Sequence, residues 1–150
     1  MNCKLNFIVL AFCACLIGCE KDGVDIVMIG DSMTEMGPWV EELGAVNLGV
    51  GGYRTAHLIS PDFLDEYRSY NTRNVLVMVG INDAMNKIPV SEVIENYILL
   101  LEELEKSGAE VIIQSTIHQS HTKNKEFVDS LNRFLKSYCD TGKATYLDID

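Results

Sequence analysis

The sequence predicts an α/β fold: a five-stranded parallel sheet covered by helices on both faces. Three observations carry that prediction. Short apolar runs recur along the chain, several of them ending on glycine. Amphipathic helical stretches alternate with those runs, as strand–helix–strand crossovers require. Small polar residues cluster just beyond the runs, where the C-terminal edge of a parallel sheet places working loops.

The chain opens with MNCKLNFIVLAFCACLIGC, in which Lys4 precedes a nearly unbroken apolar stretch from Leu5 to Ile17. A cationic start, an apolar centre and a small residue before Cys19 describe a secretory leader. Leu16-Ile17-Gly18-Cys19 is similar to the lipobox of bacterial lipoproteins. The expectation is therefore a signal peptide over 1–18, lipidation at Cys19 and a short tether over 19–23. The competing readings are an ordinary signal peptide and an uncleaved anchor. The protein is then exported and held at a bacterial membrane, its domain within about 20 Å of the bilayer. With the leader removed and Cys19 lipidated, Cys139 is the one remaining thiol. No intramolecular disulfide is expected, and Cys139 reads as a core-facing residue near a helix end.

From residue 24 to 150 there is no repeat or linker-like stretch, so one domain is expected. VDIVMIG (24–30) is the first strand and AVNLG (45–49) a weaker second. PDFLDEYRSY (61–70) suits a short helix, and NVLVMVG (74–80) is the clearest strand. The stretch 91–108 has Ser91 as a cap, apolar residues at helical spacing, Lys106 late and Gly108 as a stop. EVIIQST (110–116) follows, then a helix over 124–139 with Phe127, Leu131, Phe134, Leu135 and Tyr138 on one stripe. ATYLDI (144–149) is the fifth strand.

The formal net charge of −10 argues against a nucleic-acid partner. No apolar run reaches the roughly 18 residues of a membrane-spanning helix. No spacing resembles a zinc site.

Beyond the first strand stand Gly30, Asp31 and Ser32. Ser32 has two readings: a cap for the following helix, or a nucleophile beside backbone N–H groups able to receive an oxyanion. NLGVGGYRT (47–55) places Gly49, Gly51 and Gly52 at the same edge, where backbone can approach a ligand. It lacks the Gly-Lys-Ser/Thr of a phosphate loop. VGINDA (79–84) adds Asn82, an amide able to donate to developing negative charge, although Asn and Asp are also common turn residues.

Taken in order, Gly-Asp-Ser, Asn-x-Gly-x-x-Gly and Gly-x-Asn-Asp resemble the SGNH (GDSL-type) hydrolase family across 24–150. The resemblance implies a three-layer α/β/α, flavodoxin-like fold that hydrolyses esters and thioesters through a serine, without a cofactor. It makes Ser32 the nucleophile. It assigns the oxyanion hole to the Ser32 backbone N–H, Gly52 and Asn82. Small-molecule or glycan esters become the expected substrates, and Trp39, Tyr53 and His57 candidates for lining the crevice.

The resemblance departs at the family's Asp-x-x-His block, which supplies base and orienting acid. The sequence given reaches YLDID without it. A serine without a base is a poor nucleophile at neutral pH. The expectation is a fragment of a longer product that lacks the block and the closing C-terminal helix, leaving apolar sheet surface exposed. His118, just past the fourth strand, is the candidate substitute base, ahead of His57 and His121. Asp148 and Asp150 are candidate orienting acids. Two other functions compete: a non-catalytic ligand-binding lipoprotein, and a flavin binder, for which the first loop is too short.

Overall fold

β-branched and aliphatic side chains at alternating positions form the centre of the sheet. Val27, Ile29, Val75, Val77 and Ile113 are fully buried, and Val111 nearly so. The computed structural model describes residues 23–118 and 124–150; the expected leader, the Cys19 tether and His121 lie outside them. Five strands, β1 (Ile26–Gly30), β2 (Val46–Gly49), β3 (Asn74–Met78), β4 (Glu110–Gln114) and β5 (Thr145–Leu147), form one sheet. Their order is β2-β1-β3-β4-β5 and every pairing is parallel. The chain steps from β1 outward to β2, then returns past β1 to β3. The strand order therefore reverses between β1 and β3, and a crevice opens beyond their C-terminal ends.

The helices are α1 (Ser32–Glu35), α2 (Trp39–Leu43), α3 (Thr55–Leu58), α4 (Pro61–Ser69), α5 (Ile81–Met85), α6 (Val90–Ser107) and α7 (Lys125–Cys139). The apolar stripes of α4, α6 and α7 supply Phe63, Tyr67, Tyr97, Leu100, Leu104, Leu131 and Leu135 to the core against the sheet. Right-handed crossovers put α1 and α2, which lead in the opposite direction, on the other face. There Met28 is buried, while Leu76 and Ile112 are only half buried.

Four expected boundaries move for identifiable reasons. β3 stops at Met78 because side chains take the backbone of Val79. Its carbonyl accepts from Tyr97 Oη (2.8 Å) and Thr116 Oγ1 (3.0 Å). β4 stops at Gln114 because Asn132 of α7 pairs with Thr116. Asn132 Oδ1 accepts from the Thr116 N–H (2.8 Å), and its Nδ2 donates to the Thr116 carbonyl (2.9 Å). Pro89, not Ser91, stands at the start of α6; proline's fixed φ is already suited to that position. At the other end Gly108 takes the left-handed cap that the sequence implies. At the end of β1, Asp31 rather than Ser32 is the cap of α1. Cys139 ends α7 half buried, its thiol pushed up by burial. Leu147 and Ile149 at the β5 edge are exposed. No described helix is long and apolar enough to cross a membrane.

Candidate active site

The turn that carries Ser32 is built by its neighbours. Asp31 is buried, and its carboxylate accepts from the Met33 N–H at 3.0 Å, the bond an N-cap makes. Capping thus falls to Asp31, and Ser32, the first helical residue, is released from that duty. It stands half buried on the crevice wall. Asn47 of β2 fixes the same turn from the side. Its Nδ2 donates to the carbonyls of Thr34 (2.9 Å) and Glu35 (3.2 Å), while its Oδ1 accepts from the Gly49 N–H (2.9 Å). Trp39 Nε1 also donates to the Thr34 carbonyl, at 2.7 Å. A Cβ at Gly49 would meet the Glu35 nitrogen at 2.4 Å, so α1 can press against β2 only over a glycine.

The loop after β2 closes as a β-turn, with the Tyr53 N–H donating to the Val50 carbonyl at 3.1 Å. Gly52 occupies its third position at φ +80°, the conformation that position of a type II turn requires. Asn82, in the first turn of α5, donates through Nδ2 to the Tyr53 carbonyl at 2.9 Å. An amide carries two N–H groups, so one holds the glycine turn and the other is left for a ligand. Behind it, buried Asp83 accepts from the Thr55 N–H (3.0 Å) and Oγ1 (2.9 Å), and Asn96 of α6 donates to that hydroxyl (3.1 Å). Two cross-links therefore hold Gly52 and Asn82 at a fixed separation. Burial pushes the carboxyls of Asp31 and Asp83 above the ordinary range, hydrogen bonds oppose this in both, and the charge of Asp83 raises Asp31 further.

His118 lines the same crevice, two residues beyond Thr116, whose backbone Asn132 pairs. Its backbone N–H donates to Asp150 Oδ1 at 2.7 Å, its Nδ1 contacts Asp150 Oδ2, and its Nε2 lies 3.0 Å from Asp129 Oδ1. Lys125 pulls the Asp129 carboxyl below its ordinary range, ahead of His118. The His118 N–H is the first cause of the same shift in Asp150.

The fold thus brings Ser32, Asn82 and His118 to one cavity of about 390 Å³. Gly52, Trp39, Tyr53 and His57 are not among its walls; Gly52 is tied to it through the bond from Asn82 to the Tyr53 carbonyl. Trp39 packs on Gly37, and the Tyr53 ring stacks on His57 at 4.8 Å between centroids. Asp150 rather than Asp148 meets the histidine. Asn47, Asp83, Asn132 and Asp129 are the site residues that sequence reasoning missed. The only signal for two of them was their place inside the glycine and Gly-x-Asn-Asp blocks. Among the described residues no group of His, Cys, Asp and Glu could hold a metal ion.

The profile of the GDSL-like Lipase/Acylhydrolase family matches residues 28–150. Solved structures of similar fold include a member of the lipolytic protein G-D-S-L family from Veillonella parvula. It is 19% identical with a TM-score of 0.71, over 84% of this chain and 78% of that one. A GDSL-like lipase from Bacteroides thetaiotaomicron is 18% identical with a TM-score of 0.66, over 83% and 67% of the two chains. No curated protein matches.

Proposed function

The chain belongs to the GDSL-like lipase/acylhydrolase family, and from that premise we propose that it is a serine ester hydrolase working through an acyl-enzyme. The observation that carries this reading is the capping of α1 by Asp31, which leaves Ser32 lining the same crevice as Asn82 and His118. Ser32 Oγ attacks the ester carbonyl. The developing oxyanion is received by the Ser32 N–H, the Gly52 N–H and the second N–H of Asn82. Donors fixed before reaction need no reorganisation as charge develops, and loss of one such donor typically costs about 10²–10³ in kcat. Water then releases the acyl group.

His118 is the base in this reading, with Asp150 orienting it through Nδ1. Its Nε2 must exchange Asp129 for the Ser32 hydroxyl before it can take the proton. Catalytic hydrogen bonds often form only with substrate in place.

The engagement of both ring nitrogens by carboxylates favours a second reading, a ligand-binding crevice that performs no chemistry. A fluorophosphonate probe separates the two. On the hydrolase reading it labels Ser32 covalently, and Ser32→Ala lowers p-nitrophenyl ester turnover by roughly 10⁴-fold or more. An unlabelled serine supports the binder, and full turnover in Ser32→Ala removes Ser32 from the chemistry.

A further inference from the structure

A parallel sheet has two unlike edges, because every strand starts at one and finishes at the other. Ser32, Asn82 and His118 follow the ends of β1, β3 and β4 and line the crevice at the finishing edge. The chain enters the domain at the starting edge. There the Val24 N–H donates to the Tyr70 carbonyl (3.4 Å), and the Val24 and Asp25 carbonyls accept from the N–H groups of Arg73 (3.1 Å) and Asn74 (3.1 Å). We propose that the domain stands on its anchor with the crevice facing away from the bilayer. Its substrates are then esters held in water beyond the headgroups, and the ester bonds of the anchoring bilayer's own lipids are out of reach. The inference rests on the hydrolase reading of the crevice and on lipidation at Cys19 or a retained leader.

Reach decides the matter. Residues 19–23 are a tether that spans at most about 17 Å when fully extended. A compact domain of the length of 24–150 has a radius of gyration near 14 Å, equivalent to a sphere of radius about 18 Å. Tied at one pole by such a tether, the sphere can roll onto its side and no further. Its opposite pole then stays about 18 Å or more above the surface. The ester carbonyls of a bilayer lipid lie beneath its headgroup, on the far side of that gap. The starting edge also suits a headgroup layer. Around it charges are tied in pairs, Asp25 with Arg73, Glu103 with Arg68 and Lys106, and Glu105 with Lys143. Such a surface rests among headgroups and water and resists entry into hydrocarbon, where charge is costly.

The test uses the full-length, lipidated protein in vesicles. A chromogenic butyrate is fixed to bilayer lipids either directly or through a spacer of about 40 Å, longer than the domain is wide. The reacting bond is the same and only its height differs. The spacer-borne ester should turn over at least tenfold faster than the directly fixed one. Inserting about forty Gly/Ser residues after Gly23, a coil of about 35 Å, lets the domain invert and should bring the two rates within about threefold. Equal turnover of both esters by the parent, or a ratio that the longer tether leaves unchanged, would overturn the proposal. Orientation is read without catalysis by energy transfer to dyes in the bilayer. Labels are placed at Asp25→Cys and Met85→Cys in a Cys139→Ser background, both positions being exposed. Transfer should be strong from position 25 and weak from position 85. That contrast, with neither ester hydrolysed, would uphold the orientation and overturn the hydrolase reading. Equal transfer from both positions, stronger transfer from position 85, or a protein recovered free of membrane would overturn the proposal and leave the hydrolase reading standing.

Discussion

The two walls of the crevice are built on opposite physical plans. On the serine side, Asp31 and Asp83 are buried carboxylates whose partners are mostly backbone N–H groups and a buried hydroxyl. Their pKa values are raised because burial opposes charge. On the histidine side, Asp129 and Asp150 are far more exposed, their partners are Lys125 and His118, and their pKa values are lowered. The first plan gives fixed geometry, since a buried polar group that loses its partner is expensive. The second gives exchangeable partners, because exposed ion pairs are worth little and water can replace them. The difference teaches where preorganisation is needed. Oxyanion donors must be in place before charge develops, whereas a base must be able to move a proton and change partners.

The largest expected effect tests the rigid wall. Asp83→Ala leaves the Thr55 N–H and hydroxyl without their acceptor in a buried setting, which should cost about 2–4 kcal/mol by urea denaturation. Ester turnover should fall with it, because the glycine turn loses one of its two ties to α5. Asp83→Asn keeps an acceptor, costs less and reports the pH dependence. A carboxyl whose folded pKa is raised binds its proton more tightly in the folded state. Its contribution is therefore present below the unfolded value of 3.8 and is lost as pH rises through the folded value. The stability deficit of Asp83→Asn relative to the parent should thus widen between pH 7 and pH 4. A deficit that narrows would place Asp83 among the favourably paired carboxylates instead.

Those two plans were unequally legible in the sequence. The strands could be read because Val, Ile and Leu runs carry their own signal, and Gly108 could be read as a stop because only the left-handed cap needs it there. Strand ends converging on one sheet edge marked the stretches that hold Ser32, Gly52 and Asn82, and the resemblance of their three blocks to the SGNH family singled out those residues. The helices α1, α2, α3 and α5 run four or five residues, too short for a 3.6-residue period to register. Which residue caps α1 was equally hidden, since Asp31 and Ser32 are both good caps and backbone angles decide between them. The clamps of Asn47, Asp83 and Asn132 join residues 13, 28 and 16 positions apart, distances over which sequence pattern carries no pairing information.

An intermediate effect is expected from Asn47, whose amide serves three backbone groups of the serine turn while itself only half buried. Asn47→Ala should cost about 1–2 kcal/mol, as water reaches some of the released groups. Its signature is a fall in kcat with little change in KM, because the clamp positions Ser32 without lining the cavity. A change confined to KM would mean that the turn keeps its geometry without Asn47 and that the serine wall is less cross-linked than its hydrogen bonds imply.

The smallest effect on stability, and the sharpest contrast between the walls, is expected at Asp129. Asp129→Ala removes the partner of Lys125 and of His118 Nε2, both at partly exposed sites. The urea midpoint should barely move in dilute buffer, and the remaining difference should vanish in molar salt, where screening acts within about 3 Å. Its pH dependence has the opposite sign to that of Asp83. A lowered pKa contributes stability above 3.8 that is lost as pH falls through the folded value, so parent and variant should converge in acid. Turnover should rise, because His118 no longer has to leave a carboxylate before it accepts the Ser32 proton. A loss of stability as large as that of Asp83→Ala would show the histidine wall to be as rigid as its counterpart. A fall in turnover would make Asp129 a support for His118 rather than its competitor, and the exchange of partners would have to be abandoned.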